Sequence, residues 1–388
     1  MTEFRVALIG GAGFMGKAHS LAYAHAAFLE NQGATIVREV LVDVDPAAAA
    51  AAASQLGWNR SSSNWQEVIN DPTINIIDIV TPPHTHAMIA AAAIAAGKHV
   101  FCEKPLTNDA DEAVALAAVA AASGVVHQVG FNYRYTPMIS HAKAMIERGE
   151  LGQPLQLRAS YLVDGGFWVP DFGWRKQRST GGSGATGDLG SHVIDMALHL
   201  CGPIRRVAAL ERSYAGAQND DWGPRPDEAQ SDVPDGGAMW LAEFANGAMG
   251  TFSASFYSAG RANAIRMELD GSRGALQFDW NKNNEIDLAF VDDPQDKAGF
   301  RRVIAAEPSL WYPIPGLGYG YIDGSAAQIV SFVQAILNDG TAAPGFAEAA
   351  HAQQVVEAVA RSSTTRSWVD VPPIAAAGSA GSDREDRR

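Results

Sequence analysis

Three side chains in this sequence join a reactive type to a telling position. Lys104 closes the run His99-Val100-Phe101-Cys102-Glu103-Lys104-Pro105-Leu106. The run reads as a short buried strand that must stop at Pro105, because proline donates no ladder hydrogen bond and fixes its own φ. Lys104 then stands at the strand's carboxyl end, the edge of an open parallel sheet that faces the ligand crevice. An ammonium group placed there can act as an acid or as an electrostatic clamp on a substrate. Asp188 and His192 lie in a glycine-rich loop, Gly181-Gly182-Ser183-Gly184-Ala185-Thr186-Gly187, and the helix that follows it, which ends at Cys201-Gly202-Pro203. On that helix Leu189, Val193, Met196 and Leu200 form an apolar stripe, and Asp188, His192, Asp195 and His199 a polar one. Asp188 and His192 are one turn apart, so the carboxylate can orient and stabilise an imidazolium. Histidine is the side chain best suited to pass a proton near neutral pH.

A nucleotide site is expected beside Lys104. The apolar strand Phe4 to Ile9 runs into Gly11-Ala12-Gly13-Phe14-Met15-Gly16, which opens a helix. In this reading Gly11 permits the tight turn, Gly13 lets the backbone approach a pyrophosphate, and Gly16 allows close helix packing. The helix N-terminus offers free N–H groups to the phosphates. Asp43, at the end of the second strand, can accept hydrogen bonds from ribose hydroxyls and would repel a 2′-phosphate. The residues after it, Val44-Asp45-Pro46, contain no arginine to receive that phosphate. The expected cofactor is therefore NAD rather than NADP. Asp45 is the better cap for the next helix, with Pro46 at its first position. In Thr81-Pro82-Pro83-His84 two prolines stiffen a loop that can lie along the nicotinamide half of the cofactor. His84 and His86 have no further ligands at metal spacing, so no metal is expected.

The elements that position these groups follow from periodicity. Strands at Phe4 to Ile9, Val37 to Asp43, Ile74 to Val80, Val100 to Glu103 and Val125 to Gly130 alternate with helices at Gly16 to Gln32, Pro46 to Leu56, Ala87 to Ala96 and Asp109 to Ser123. That pattern is a doubly wound parallel sheet, a dinucleotide-binding domain over residues 1–130. A linking helix, Thr136 to Arg148, opens a second domain over 131–374. Its runs alternate with period two: Leu155 to Val163, Gly237 to Phe244, Gly250 to Tyr257, Ile265 to Leu269, Ala275 to Trp280 and Ile286 to Val291. With hairpin signals at Asn246-Gly247 and Asp270-Gly271-Ser272, they predict an open-faced, mainly antiparallel sheet. Helices at Asp188 to Leu200, Ser325 to Leu337 and Phe346 to Ser362 are expected on one face of it. Residues 375–388 have no apolar period and read as a disordered tail.

Composition narrows the partners. In 388 residues the formal charge is −14, with no basic cluster, which argues against nucleic acid. No apolar run is long enough to span a bilayer, and the N-terminus opens directly into a strand. The two cysteines, Cys102 and Cys201, lie in apolar surroundings, which fits a reducing, cytoplasmic setting.

These residues together resemble the Gfo/Idh/MocA oxidoreductases, the glucose–fructose oxidoreductase and inositol dehydrogenase family. The resemblance rests on Gly11 to Gly16, Thr81-Pro82-Pro83-His84, Glu103-Lys104-Pro105, Gly130-Phe131-Asn132-Tyr133-Arg134, and Asp188 through His192 with Asp195. It runs from residue 4 to about residue 370. Within the family, Gly13-Phe14-Met15-Gly16-Lys17-Ala18-His19-Ser20 is similar to the branch that contains levoglucosan dehydrogenase. The resemblance implies a Rossmann domain joined to an open sheet that often forms the oligomer interface, here a homodimer or homotetramer. It implies a catalytic Lys104 with Asp188 and His192, and it places Phe14, Met15, Glu103, Trp174 and Arg175 beside the cofactor. The implied reaction oxidises a secondary ring hydroxyl of a sugar or anhydrosugar, with hydride passing to NAD. Tyr161, Trp168, Asn132 and Asp164 are candidate sugar contacts, since carbohydrates are held by aromatic faces and fixed hydrogen bonds. The alternatives are an inositol 2-dehydrogenase, a sugar oxidoreductase that retains and recycles NAD, and a nucleotide sensor without chemistry; Lys104 and His192 speak against the last.

Overall fold

In this computed structural model the described residues are 2–26, 33–168, 173–214, 233–304 and 317–374. The tail expected over 375–388 lies outside them, as does the end of the first helix beyond Ala26. Two sheets organise the described chain. The first holds β1 (Thr2–Ile9), β2 (Ala34–Val42), β3 (Arg60–Ser62), β4 (Ile76–Ile79), β5 (His99–Cys102) and β6 (His127–Val129). All pairs are parallel, in the spatial order β3-β2-β1-β4-β5-β6. The order reverses beside β1, and ligand crevices open at such switch points. The intervening helices are α1 (Phe14–Ala26), α2 (Pro46–Leu56), α3 (Trp65–Ile69), α4 (His86–Ala95) and α5 (Ala110–Ser123). Asp45 caps α2 as expected, accepting from the backbone N–H groups of Ala47 and Ala48, and Gly57 closes it at φ 73°.

After α6 (Pro137–Glu147) comes the second sheet. It comprises β7 (Pro154–Leu162), β8 (Ile204–Arg212), β9 (Gly237–Phe244), β10 (Met249–Ser255), β11 (Ala264–Gly271), β12 (Gly274–Asp279), β13 (Glu285–Phe290), β14 (Arg301–Ile304) and β15 (Val369–Asp370). Their order is β14-β13-β12-β11-β7-β10-β9-β8-β15. Every pair is antiparallel except β7 with β10, which run parallel. Parallel neighbours need a crossover. Here it includes the single-turn helices α7 (Gly165–Trp168) and α8 (Arg178–Gly181) and the longer α9 (Ser191–Cys201), and that crossover carries the candidate acid–base residues.

Two helices close the fold, α10 (Tyr321–Leu337) and α11 (Phe346–Thr365), and one of them departs from expectation. α10 does not lie on the second sheet. Its Ile329, Phe332 and Val333 join Phe4, Val6, Leu8, Tyr23, Leu41 and Phe101 in one buried cluster on the first sheet. Phe332 meets Phe101 edge-on at 5.6 Å between ring centres. The reason is that helices α1 to α5 leave part of that apolar face uncovered, and an uncovered apolar face on a parallel sheet is costly. α11 packs between β8 and α5 and so ties the two sheets together.

Candidate active site

The glycine turn is built by close approach. A Cβ on Gly16 would stand 2.1 Å from the Gly11 carbonyl oxygen, and one on Gly11 would stand 2.5 Å from Leu41. The left-handed residue of the turn is Gly10, at φ 90°, rather than Gly11. Gly11 is required by Leu41 and Gly16 instead, a contact that a motif written from Gly11 does not reveal. Gly13 has nothing nearer to its missing Cβ than the Gly10 oxygen at 3.9 Å. The turn thus presents bare backbone beside the α1 N-terminus, whose first turn carries no acid. Asp43 Oδ2 accepts the Ala12 N–H at 3.1 Å, which fixes its carboxylate against the turn. These features fit a dinucleotide: a cradle for phosphates and an acid for ribose hydroxyls.

Lys104 follows β5, as the sequence predicts. Its Nζ donates to Asp188 Oδ1 at 2.7 Å and to the Asp188 backbone oxygen at 2.9 Å. The strand end of the first sheet is thereby joined to the crossover of the second. The Glu103 side chain does not reach outward as Lys104 does. It is 6% exposed, accepts the Lys104 N–H at 3.1 Å and contacts His19. On the neighbouring loop Thr81 and Pro83 line the same cavity as Lys104, whereas Pro82 and His84 do not. His84 Nδ1 lies 3.3 Å from the Thr180 carbonyl, which also accepts from Asn108 at 3.0 Å. Both contacts fasten the glycine-rich loop to the first sheet.

Asp188 sits in a wide turn, Thr186–Gly190, in which hydrogen bonds skip one residue more than in an α-helix. Such turns gather at functional sites. With the turn widened, no hydrogen bond joins the Asp188 and His192 side chains, so Asp188 acts on the imidazole through its charge alone, which favours the imidazolium. Lys104 takes the carboxylate, and Arg175 Nε lies 3.6 Å from its other oxygen. Burial alone would raise the Asp188 pKa, but the charges of Lys104 and Arg175 hold it down to about 2. The turn is anchored by two acids that the sequence did not single out. Asp235 Oδ1 accepts the Thr186 N–H at 3.1 Å, and Glu211 Oε1 accepts the Thr186 hydroxyl at 2.8 Å. Burial and the neighbouring Asp235 push Glu211 up to about 7.

His192 is 6% exposed, walled by the rings of Tyr133 at 4.9 Å and of Phe131 and Tyr161 at 5.8 Å. Burial, with Lys104's charge adding to it and Asp188 opposing, holds its pKa well below the ordinary value. The ring is therefore neutral at neutral pH. Its Nδ1 is sealed and without a partner, which leaves Nε2 to meet a ligand. The polar stripe of α9 is thus no solvated face. Asp195, one turn on, is 2% exposed and pairs with the buried Arg134, whose Nε donates to Asp195 Oδ2 at 2.9 Å.

Lys104, Asp188 and His192 converge on a cavity of about 920 Å³, together with Phe14, Met15, Glu103, Trp174 and Arg175. Arg175 lies over the Trp174 ring at 4.2 Å. Of the sugar contacts expected, only Tyr161 reaches this cavity. Asn132 is buried and donates to Ser325 at 3.1 Å, so α10 claims it. Asp164 and Trp168 lie off the lining, Trp168 being 72% exposed. The wall is built instead by Tyr133, Asn263, Trp280 and Tyr321, which sequence reasoning passed over. Tyr161 donates to Asn263 Oδ1 at 2.6 Å, Asn263 Nδ2 donates to the Tyr133 hydroxyl at 3.3 Å, and the two hydroxyls lie 3.1 Å apart. That closed ring holds three side chains still. Tyr133 belongs to the Gly130-Phe131-Asn132-Tyr133-Arg134 motif, but Asn263, Trp280 and Tyr321 come from segments with no motif at all. Among the described residues no group of three His, Cys, Asp or Glu is arranged to hold a metal, and no helix is long and apolar enough to cross a membrane.

Both halves of the chain match known proteins. Residues 4–131 match the family model described as the oxidoreductase family, NAD-binding Rossmann fold, and residues 143–371 match its C-terminal alpha/beta domain. Levoglucosan dehydrogenase of Pseudarthrobacter phenanthrenivorans is 40% identical over 97% of this chain and 100% of its own length. A solved levoglucosan dehydrogenase in complex with NADH and levoglucosan superimposes with a TM-score of 0.88, at 39% identity over 96% of this chain and 100% of that one. The NAD-dependent scyllo-inositol 2-dehydrogenase of Bacillus subtilis is 32% identical over 58% of this chain and 60% of its own length.

Proposed function

The chain belongs to the Gfo/Idh/MocA oxidoreductases, and from that premise we propose that it is an NAD-dependent dehydrogenase oxidising a secondary ring hydroxyl of levoglucosan or a closely similar anhydrosugar. One observation carries the reading: a lysine at the edge of the nucleotide sheet is bonded across the cleft to Asp188, beside a neutral histidine in an aromatic-walled cavity. Bound NAD supplies the hydride acceptor. His192 takes the hydroxyl proton through Nε2, and its buried Nδ1 makes the resulting imidazolium costly, so the proton is readily passed on. Lys104 spends two of its three N–H bonds on Asp188 and has the third for the substrate oxygen, where it steadies the developing alkoxide. Asp188 stays ionised and keeps that ammonium aimed. Tyr133, Tyr161 and Trp280 give the sugar ring flat faces to rest on. The test is NADH formation across levoglucosan, glucose, myo-inositol and scyllo-inositol. Turnover of levoglucosan well above the others is expected; preference for an inositol would replace the substrate assignment.

Asp43 underlies an expected preference for NAD over NADP of at least about tenfold in kcat/KM, about 1.4 kcal/mol. Its carboxylate already faces the glycine turn, where a 2′-phosphate would meet like charge. Asp43→Ala should narrow the gap chiefly by weakening NAD. Equal efficiency of the unaltered enzyme with both cofactors would remove Asp43 from this role.

The outer face of the second sheet supports a homo-oligomer. On β9 and β10 Trp240, Ala242, Phe252 and Ala254 point inward, while Met239 is 70% and Leu241 50% exposed beside Leu210 and Trp368. A contiguous exposed apolar patch marks an interaction surface, and a second copy of the chain is the partner proposed for it. Sedimentation is expected to show a dimer or tetramer of the 41.0 kDa chain, shifted toward monomer by Leu241→Arg. A monomeric unaltered protein at micromolar concentration would count against the interface. The buried thiols of Cys102 and Cys201 fit a reducing cytoplasm.

A further inference from the structure

His19 lies on the second turn of α1, and no step above uses it. Its side chain is 3% exposed and its two ring nitrogens both face carboxylates. Nδ1 lies 2.8 Å from Asp78 Oδ2, and Nε2 lies 3.1 Å from Glu103 Oε1. Two carboxylate acceptors facing the two nitrogens favour a ring that carries hydrogen on both, an imidazolium. Burial works against that charge, but Asp78 and Glu103 outweigh it and push the pKa up to about 10. The ring edge also packs on Phe101 at 5.5 Å. Glu103 has no freedom to swing. A Cβ on Gly130 would stand 2.5 Å from its Oε1, its Oε2 accepts the Lys104 N–H, and its own N–H donates to the Ile79 oxygen. One chain of contacts thus runs from the helix that opens at the glycine turn, through a buried cation, to the residue that carries the cleft ammonium.

We propose that His19 is a positioning residue: as a permanent cation clamped between Asp78 and Glu103, it couples the cofactor-binding helix to Lys104 and holds Lys104 in its catalytic place. This rests on the reading of Lys104 given above. The other titratable groups facing the triad are Tyr23 of α1, Cys102 of β5, His86 of α4, Tyr321 of α10 and Lys104. Burial keeps Tyr23, Cys102, Tyr321 and His86 uncharged. The triad therefore carries one net negative charge that no uncharged neighbour can balance. In His19→Gln the amide can donate to one carboxylate but brings no charge, which leaves Asp78 and Glu103 in mutual repulsion. Repulsion between two like charges favours binding of a proton at the pair, and that proton stands in for the lost cation.

The sign of the effect follows. At low pH the variant is partly repaired by the bound proton, and as pH rises that proton leaves and the defect grows. His19→Gln is expected to lower kcat about 10- to 100-fold at alkaline pH, the scale of a misplaced reacting group, and by less at acidic pH. The KM for NAD should hardly move. Adding Asp78→Asn should restore the net charge, flatten the profile and recover most of the turnover. A packing role alone predicts the opposite, a double variant worse than the single one and no new ionisation. In the unaltered protein, 15N spectra of the His19 ring should show both nitrogens protonated from about pH 6 to pH 8. A neutral ring in those spectra would overturn the clamp, and this measurement stands even where His19→Gln does not fold. If Lys104→Ala abolishes turnover while His19→Gln keeps the unaltered profile, the positioning role alone fails. Full turnover in Lys104→Ala would instead bring down the reading on which it rests.

Discussion

Replacing Lys104 or His192 with alanine is expected to lower kcat by roughly two to four orders of magnitude, the range for a positioned acid or base. Both variants should fold. In Lys104→Ala the Asp188 carboxylate keeps Arg175 at 3.6 Å, so a charge is weakened rather than stranded. A modest loss of stability is expected in that variant, with a definite pH dependence. Asp188 is held at about 2 in the folded chain, below its ordinary value, so its contribution is present above that ordinary value and fades as pH falls through about 2. The Tm difference from the unaltered protein should therefore be full at pH 7 and shrink in strong acid. NADH affinity, read by fluorescence titration, should change little, since neither side chain touches the glycine turn. Asp188→Asn should also be costly. It removes the one charge that favours His192 imidazolium, so any acid limb due to His192 moves to still lower pH. Near-normal turnover of His192→Ala on levoglucosan would sink the acid–base assignment.

A pair of glycine substitutions separates folding from cofactor binding. Gly16→Ala places a Cβ 2.1 Å from the Gly11 oxygen, backbone against backbone, where nothing flexible can yield. Gly13→Ala meets nothing closer than 3.9 Å. Gly16→Ala should lose both thermal stability and NADH binding. Gly13→Ala should melt like the unaltered protein yet bind NADH at least about tenfold more weakly, about 1.4 kcal/mol, because its methyl group occupies the approach of the pyrophosphate. Unchanged NADH affinity in Gly13→Ala would show that the dinucleotide does not lie against this turn.

How far the sequence reaches is seen in where it stops. Most of the first sheet was legible because β1, β4 and β5 are largely apolar and α2 and α5 carry plain caps, Asp45 and Asp109, whereas β3, Arg-Ser-Ser, has no apolar residue to announce it. The hairpins of the second sheet were legible through period two. β8, β14 and β15 were not: β8 reads Ile-Arg-Arg-Val-Ala-Ala-Leu-Glu-Arg, without clean alternation, and takes its place from β9 and α11. In the site, Lys104 was legible because Pro105 ends its strand. Only the orienting half of the Asp188–His192 partnership was misread, because four-residue spacing assumes an α-helical turn, and the turn here is wider. The sugar wall was the least legible part. Asn132 looked like a contact by type but serves α10, whereas Asn263 and Trp280 are joined to the cavity only by the pairing of β7 with β11 and the turn after β12. Long-range packing of that kind leaves no local signature.

The docking of α10 on the first sheet has a consequence for how the protein must be made. Synthesis runs from the N-terminus, so all six strands of the first sheet leave the ribosome long before Tyr321–Leu337 does. Until then the face formed by Phe4, Val6, Leu8 and Phe101 is only partly covered, by Ala22, Tyr23 and Ala26 of α1 among others, and the rest is left to transient contacts. The nucleotide-binding half is therefore completed only by a helix made after nearly all of the second sheet. A nascent chain arrested before α10 would hold a nearly complete Rossmann sheet with an oily flank, prone to aggregate rather than to bind its dinucleotide.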